Sequence, residues 1–167
     1  MGMTCTLLRV TKSELEEYLN DSSLLEDRIY DEESEDEVEN LIDIDKSWGG
    51  IIFLLTEQEI QNTENPLLQV LFSGQIIDDE QDLGCGPAHY LTPEQVVNLN
   101  NQISKITVED LRQKYDPEKM TELSVYPDIW DNKSEEPFEY LSDNFLDIQK
   151  LYSDATKNGE AIITFLN

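Results

Sequence analysis

Apolar side chains recur at strand spacing near the two ends of the chain and at helical spacing between them. Residues 3–10 (MTCTLLRV) combine β-favouring threonines with apolar positions, which predicts a first strand. The apolar run within residues 160–166 (EAIITFL) predicts a final, buried strand. We therefore expect both terminal strands to lie in one small mixed sheet with several helices packed on it.

Local capping signals mark where the helices between these strands begin. Two threonines are each followed, three residues later, by a side chain that completes a capping box: Thr11 with Glu14 and Thr92 with Gln95. Thr107 with Asp110 predicts the start of a short helix that ends near Tyr115. Another helix is expected from about Ser22 to Tyr30. Pro137 opens the longest predicted helix, which has one apolar stripe and a C-terminal cap at Gly159. The pattern predicts a helix-dominant α+β fold in a single domain, residues 1–167.

Two segments leave alternatives open. Apolar residues recur at helical spacing over residues 48–55, with Asp45 or Ser47 as the N-cap, but Gly49–Gly50 lies inside that helix. Each glycine costs about 1 kcal/mol relative to alanine, so either another element packs very close to the pair or the helix starts after it. Close packing is the favoured interpretation. Residues 66–73 fit a short helix or a buried strand, and periodicity does not decide between them.

Charge is the strongest constraint on function. The chain has 37 acidic and 11 basic residues, a net charge of −26 over 167 residues. This excess repels nucleic acid and anionic membranes and favours basic proteins or cations as partners. The hydrophobic share of 38% argues for a folded core. In residues 31–39 seven of nine side chains are acidic, which predicts a solvated loop or frayed helix, or alternatively a recognition patch for a basic partner.

The cellular setting is predicted from what the chain lacks. Its first ten residues show no basic segment followed by a long apolar stretch, and no run of about 18 apolar residues occurs. We therefore expect a cytoplasmic protein that does not associate with membranes. Cys5 and Cys85 are expected to be reduced thiols.

Candidate catalytic chemistry is sparse. His89 is the single histidine, so any Ser-His-Asp or Cys-His arrangement must use it. Cys85 lies four residues away, and an extended loop of that length can hold the two groups more than about 10 Å apart. A surface or capping histidine is therefore the favoured role. One histidine and two cysteines are too few for a structural zinc site, and we expect no cofactor. A carboxylate-bound magnesium or calcium ion is the alternative, with donors among Asp43, Asp45, Asp78, Asp79 and Asp82.

Glycine turns and aromatic residues cluster in three segments: Trp48, Gly84–Tyr90 and Tyr126–Trp130. Such residues either belong to the core or line a pocket or an interface. The candidate ligand or interface residues are Asp45, Trp48, Gly84, Gly86, His89, Tyr90, Tyr126 and Trp130.

The same segments carry a resemblance to a known family. At residues 45–48 (DKSW) followed by the apolar run 51–55, at 84–96 and at 126–130 (YPDIW), the chain resembles the YfbM-like family over nearly its whole length. The resemblance implies a single α+β domain from a bacterial cytoplasm, with no assigned activity. Members often carry a histidine within the segment matching 48–53 and an arginine at the position of His89. Both departures weaken a catalytic role for histidine.

Two functions from different classes follow. The favoured one is a non-enzymatic acidic protein that binds a basic protein partner, as immunity or inhibitor proteins do, because complementary charge speeds association. The alternative is a small-molecule-binding or hydrolytic protein with a cleft lined by Trp48, Gly84–Tyr90 and Tyr126–Trp130, in which Asp45 is the acid. We expect a monomer or a weak homo-oligomer.

Overall fold

The computed structural model describes residues 2–31, 40–58 and 64–167. Apart from Asp31, the acidic run predicted at residues 31–39 lies outside the described residues. The elements follow in chain order as β1 (Cys5–Val10), α1 (Lys12–Asn20), α2 (Ser23–Tyr30), β2 (Leu41–Asp43), α3 (Trp48–Thr56), β3 (His89–Leu91), α4 (Pro93–Ile103), α5 (Val108–Lys114), α6 (Pro117–Glu122), α7 (Glu136–Asn158) and β4 (Ala161–Leu166). Short 3-10 helices occupy Asp45–Ser47 and Pro66–Val70. The predicted helix-dominant α+β class is confirmed.

The four strands form one sheet in the order β2-β1-β4-β3. The two terminal strands pair along their whole length, from Cys5 with Leu166 to Val10 with Ala161, and they occupy the centre. All pairings of these strands are antiparallel, so the predicted mixed sheet is wrong in that respect. The two edge strands have three residues each. Hydrophobic periodicity indicates the type of an element, and it does not show whether such a strand pairs in the parallel or the antiparallel direction.

Helices cover both faces of the sheet. Along β1, Cys5 and Leu7 belong to the larger core cluster, which includes buried residues of α3, α4, α5, α6 and α7. Leu8 and Val10 belong to a smaller cluster with Leu15 of α1 and other residues of α1 and α2. Because strand side chains alternate between faces, β1 is buried on both sides, and this explains its nearly continuous apolar run.

Helix α3 is buried at every position and contains both glycines. A Cβ atom at Gly49 would lie 2.5 Å from the carbonyl oxygen of Tyr126, and one at Gly50 would lie 2.6 Å from Cδ2 of Leu141. The close packing predicted for this pair is therefore confirmed. Ser47 occupies the N-cap position, but its hydroxyl donates to the carbonyl oxygen of Ile44 instead of capping the helix.

The local start and stop signals have mixed outcomes. Both predicted capping boxes form, and a third forms at Thr107, where a helix start was predicted. Helix α7 ends at Gly159 in the left-handed region, with φ +67°. Residues 66–70 are helical, with the Asn65 side chain accepting from the Leu67 amide, so the strand alternative is wrong. The sequence Asp116–Pro117 is typical of a turn, but Pro117 starts α6 behind the side-chain cap of Asp116.

Candidate functional site

The polar face of α7 carries carboxylates along most of its length. At about 100° per residue, positions 136, 140, 143, 147, 150 and 154 fall within an arc of about 80°. Four of these positions are acidic, from Glu136 to Asp154, and they span about 27 Å of helix. The opposite face is the buried apolar stripe, with Phe138, Leu141, Phe145, Ile148 and Tyr152.

Residues 41–46, from β2 into the first 3-10 helix, lie beside this polar face and contact α7. The hydroxyl of Tyr140 joins the two elements, since it donates to Oδ2 of Asp45 over 2.6 Å and accepts from the amide of Lys46 over 2.9 Å. This segment adds two carboxylates to those of α7. We define the acidic band as six residues: Asp43, Asp45, Glu136, Asp143, Asp147 and Asp154.

Asp45 is the most constrained member of the acidic band. Its amide donates to Oδ1 of Asp43 over 2.8 Å, and its backbone is left-handed, with φ +52°. The hydrogen bond from Tyr140, helped by the backbone and charge of Lys46, lowers the pKa of Asp45. Burial and the neighbouring Asp45 raise the pKa of Tyr140. At neutral pH the pair is therefore a carboxylate and a neutral phenol, which suits a hydrogen-bond acceptor and not a general acid.

Two pockets open along the acidic band. The first, of about 330 Å³, lies between β2 and the second half of α7 and is lined by Leu41, Ile42, Asp43, Asp147, Lys150, Leu151 and Asp154. The second, of about 470 Å³, lies at the start of α7 and is lined by Asp45, Lys46, Pro127, Ile129, Asn132, Glu136, Pro137 and Tyr140. We call the second one the Tyr140 pocket. Both pockets combine carboxylates with apolar side chains.

The segment Tyr126–Trp130, predicted from the sequence, contributes to the Tyr140 pocket together with Asp45. Pro127 and Ile129 line the pocket, and the neighbouring aromatic residues support it from the core. Tyr126 stacks on Trp48, with ring centroids 4.9 Å apart at 24°. Trp48 and Trp130 are buried. Their indole nitrogens donate to backbone carbonyl oxygens 2.9 and 2.7 Å away, so their role is structural.

The predicted segment Gly84–Tyr90 does not line the Tyr140 pocket. One carboxylate oxygen of Asp82 accepts from the amides of Gly84 and Gly86 over 2.9 and 3.0 Å, which lowers the pKa of Asp82. Both glycines have positive φ, at +124° and +104°, a conformation that favours glycine. Tyr90 packs against the smaller core cluster. The first part of this segment is a closed turn, where the amide of Cys85 donates to the carbonyl oxygen of Leu166 of β4, and its last two residues belong to β3.

His89 is half-buried and its Nδ1 accepts from the amide of Gly74 over 3.1 Å. Burial lowers the pKa of this imidazole, so it is neutral at neutral pH. Its ring contacts Phe72 edge-on at 5.7 Å, and Phe72 in turn contacts Trp48 at 5.8 Å. His89 thus holds the loop at Gly74 against β3, and no hydrogen bond joins it to Cys85 among the residues that the structure describes.

Sequence reasoning missed Tyr140, Glu136 and Asn132 as pocket residues. The signal available was Tyr140 itself, since an aromatic side chain on the polar face of an amphipathic helix is unusual.

Within residues 2–31, 40–58 and 64–167, no group of three or more histidine, cysteine, aspartate or glutamate side chains is arranged to hold a metal ion. No helix in the same ranges is both long enough and apolar enough to cross a membrane.

Fold and site together define an acidic α+β protein in which helices enclose a four-stranded antiparallel sheet and one long helix displays carboxylates beside two pockets. A family model for a domain of unknown function, DUF1877, matches residues 1–165, and the chain belongs to this family. The crystal structure of YfbM from Escherichia coli, a protein of unknown function, is similar with a TM-score of 0.71 and 19% identity, covering 98% of this chain and 99% of that chain. The resemblance to the YfbM-like family is confirmed, and at this identity it establishes a shared fold. No curated protein matches the chain.

Proposed function

We propose that this protein binds a basic protein partner through the acidic band and acts as a non-enzymatic binding protein of the cytoplasm. The observation that supports the proposal is that six carboxylates lie in one band, four of them along about 27 Å of α7, and that five of the six line two pockets. Two basic residues, Lys46 and Lys150, are among those that line the same pockets, so negative charge prevails.

The chemistry of the pockets favours a protein over a simple cation as the partner. Leu41, Ile42 and Leu151 line the first pocket, and apolar side chains also line the second. Buried apolar anchors supply most of the affinity at protein interfaces, whereas charge steers the approach and raises the association rate. A hydrated metal ion would gain nothing from the apolar lining, but a basic protein surface offers both kinds of group.

The test compares two triple variants with the same change in net charge. The band variant carries Asp43→Asn, Asp147→Asn and Asp154→Asn. The control variant carries Glu16→Gln, Glu17→Gln and Glu80→Gln, three exposed positions that belong neither to the acidic band nor to its pockets. Each tagged chain is used to capture proteins from a lysate of the source organism at low and high salt, and captured proteins are identified by mass spectrometry.

We expect the wild type and the control variant to retain a stoichiometric basic protein that high salt releases, and the band variant to lose it. If no salt-sensitive stoichiometric partner is captured, the proposal is wrong. It is also wrong if both variants lose the partner equally, because the effect would then depend on overall charge and not on this face.

A further inference from the structure

We propose that the Tyr140 pocket receives an arginine side chain of the basic partner. The inference rests on the proposed function and adds the residue type that the site recognises. It depends on the side chains that line the pocket and on the charge state of two of them.

The apolar lining suits the aliphatic part of a long basic side chain. Pro127, Ile129 and Pro137 line the pocket together with the ring of Tyr140. Arginine and lysine bury their methylene stems along such surfaces and keep the charged head at a polar rim. A volume of about 470 Å³ lies within the range of about 300–1,000 Å³ that is typical of ligand pockets, so one side chain fits with bridging water.

The polar lining favours a guanidinium group as the head. Asp45 and Glu136 supply two carboxylates, and the hydrogen bond from Tyr140 lowers the pKa of Asp45 further. A carboxylate has about four acceptor positions, and Tyr140 uses one of those on Asp45. The planar fork of arginine binds carboxylates in a bidentate manner and stacks on aromatic rings, whereas the ammonium of lysine is more strongly hydrated.

Lys46 is the one basic residue among those that line the pocket. Its side chain passes beside Gly2, where a Cβ atom would lie 3.0 Å from Nζ of Lys46. The charge of Lys46 offsets one of the two carboxylates, Asp45 and Glu136, and leaves the other to attract a single cation. The pocket thus matches one arginine and not a run of basic residues.

The probe for the test is N-acetyl-arginine N-methylamide, titrated into the full-length ¹⁵N-labelled protein at about physiological ionic strength. The matched probes are the citrulline analogue, which is neutral and of the same length, and the lysine analogue. We expect saturable shifts of the amide signals of Lys46, Asn132 and Tyr140 with the arginine probe. Binding should be at least about fivefold weaker with lysine, and the citrulline analogue should give no saturable shift.

Variants separate the pocket from general electrostatic attraction. Asp45→Asn should lower the affinity for the arginine probe at least about tenfold, which is the loss expected when a charge-assisted hydrogen bond is removed. Glu139→Gln removes the same charge from an exposed position of α7 that belongs neither to the acidic band nor to the pocket lining. The affinity of this variant for the arginine probe should stay within about twofold of wild type. If Asp45→Asn fails to fold, Glu136→Gln takes its place.

Equal shifts with the arginine and citrulline probes, or an equal loss of affinity in the Asp45 and Glu139 variants, would overturn the inference. The partner capture above tests the broader function separately. If the probe fails to bind but capture still depends on the acidic band, only the arginine assignment is wrong. Probe binding without band-dependent capture would instead refute the proposed function.

Discussion

Replacing Gly49 with alanine tests the contact between α3 and the loop that lines the Tyr140 pocket. In an exposed helix this change would stabilise the protein by about 1 kcal/mol, because alanine has the higher helix propensity. Here the added Cβ would lie 2.5 Å from the carbonyl oxygen of Tyr126. Ordinary C–H···O contacts have carbon–oxygen distances of about 3.3–3.6 Å, so helix and loop must separate by roughly 0.8 Å.

The expected cost exceeds the gain in helix propensity. Overpacking a buried contact costs about 1–3 kcal/mol, and the upper part of that range applies because a backbone oxygen cannot move aside as a flexible side chain does. Subtracting the gain of about 1 kcal/mol leaves a net destabilisation of about 2 kcal/mol. For a chain of this size, that corresponds to a fall in melting temperature of about 4–8 °C.

Thermal unfolding followed by circular dichroism measures the effect. The control is Asn98→Ala, an exposed interior position of α4, where the same preference for alanine should stabilise the protein by about 0.5 kcal/mol. The two substitutions should therefore shift the melting temperature in opposite directions. A Gly49→Ala protein at least as stable as wild type would refute the close approach of α3 and the Tyr126 loop.

Three further predictions concern charge. Added salt, or mild acidification from neutral pH, should raise the melting temperature, because either change reduces repulsion within a chain of net charge −26. Scanning fluorimetry measures the effect, and a melting temperature that stays flat or falls across the series of salt concentrations would contradict this prediction. Glu160→Gln should lower the free energy of unfolding, measured by chemical denaturation, by about 1.5–3 kcal/mol, because it weakens a largely buried ion pair with Arg9 at 2.8 Å. Glu135→Gln weakens an exposed ion pair and should lower the free energy of unfolding by less than about 1 kcal/mol. Equal losses would contradict the effect expected from the difference in burial. Tyr140→Phe should raise the pKa of Asp45 towards its ordinary value, measured by carboxyl ¹³C NMR titration. Because the folded-state pKa is the lower one, the stabilisation from Asp45 is present at neutral pH and is lost as the pH falls through that value; an unchanged titration would refute the hydrogen bond.

The parts of the fold that the sequence predicts are those with local signals. A capping box such as Thr92 with Gln95 joins residues three positions apart, so it is visible without any knowledge of the tertiary structure. The apolar stripe of α7 is likewise a property of one helix. Gly49–Gly50 predicted a contact between parts of the chain that are distant in sequence, because glycine inside a buried apolar helix is favoured only where another element comes close.

The parts that were missed depend on distant partners. β2 has three residues, and it is a strand only because it pairs with β1, as Ile42 does with Leu7. No periodicity can appear over three residues. The helix at Pro117 was missed for another reason, since a proline after aspartate favours both a turn and the first position of a capped helix.

The structure brings together part of the predicted cleft, and the role of these residues as a site stays a prediction. Asp45 and the segment Tyr126–Trp130 were expected in one cleft and do share the Tyr140 pocket. Trp48 was expected beside them, but it packs in the core against Tyr126. Tyr140 could not be placed there, because 95 residues separate it from Asp45 and its pairing with that residue depends on how α7 lies against β2.

The Tyr140 pocket is held by the core, and this explains why a buried substitution should alter it. Tyr126 is fixed by its stacking on Trp48, by the amide of Met3 donating to its hydroxyl over 2.8 Å, and by the contact of its carbonyl oxygen with Gly49. Pro127 follows directly in the chain and lines the pocket. Displacing α3 from this loop therefore moves the wall of the pocket without changing any surface charge. Gly49→Ala should lower the affinity of the pocket for the arginine probe. A substitution in the smaller core cluster that destabilises the protein by the same amount should leave the affinity of the folded protein unchanged.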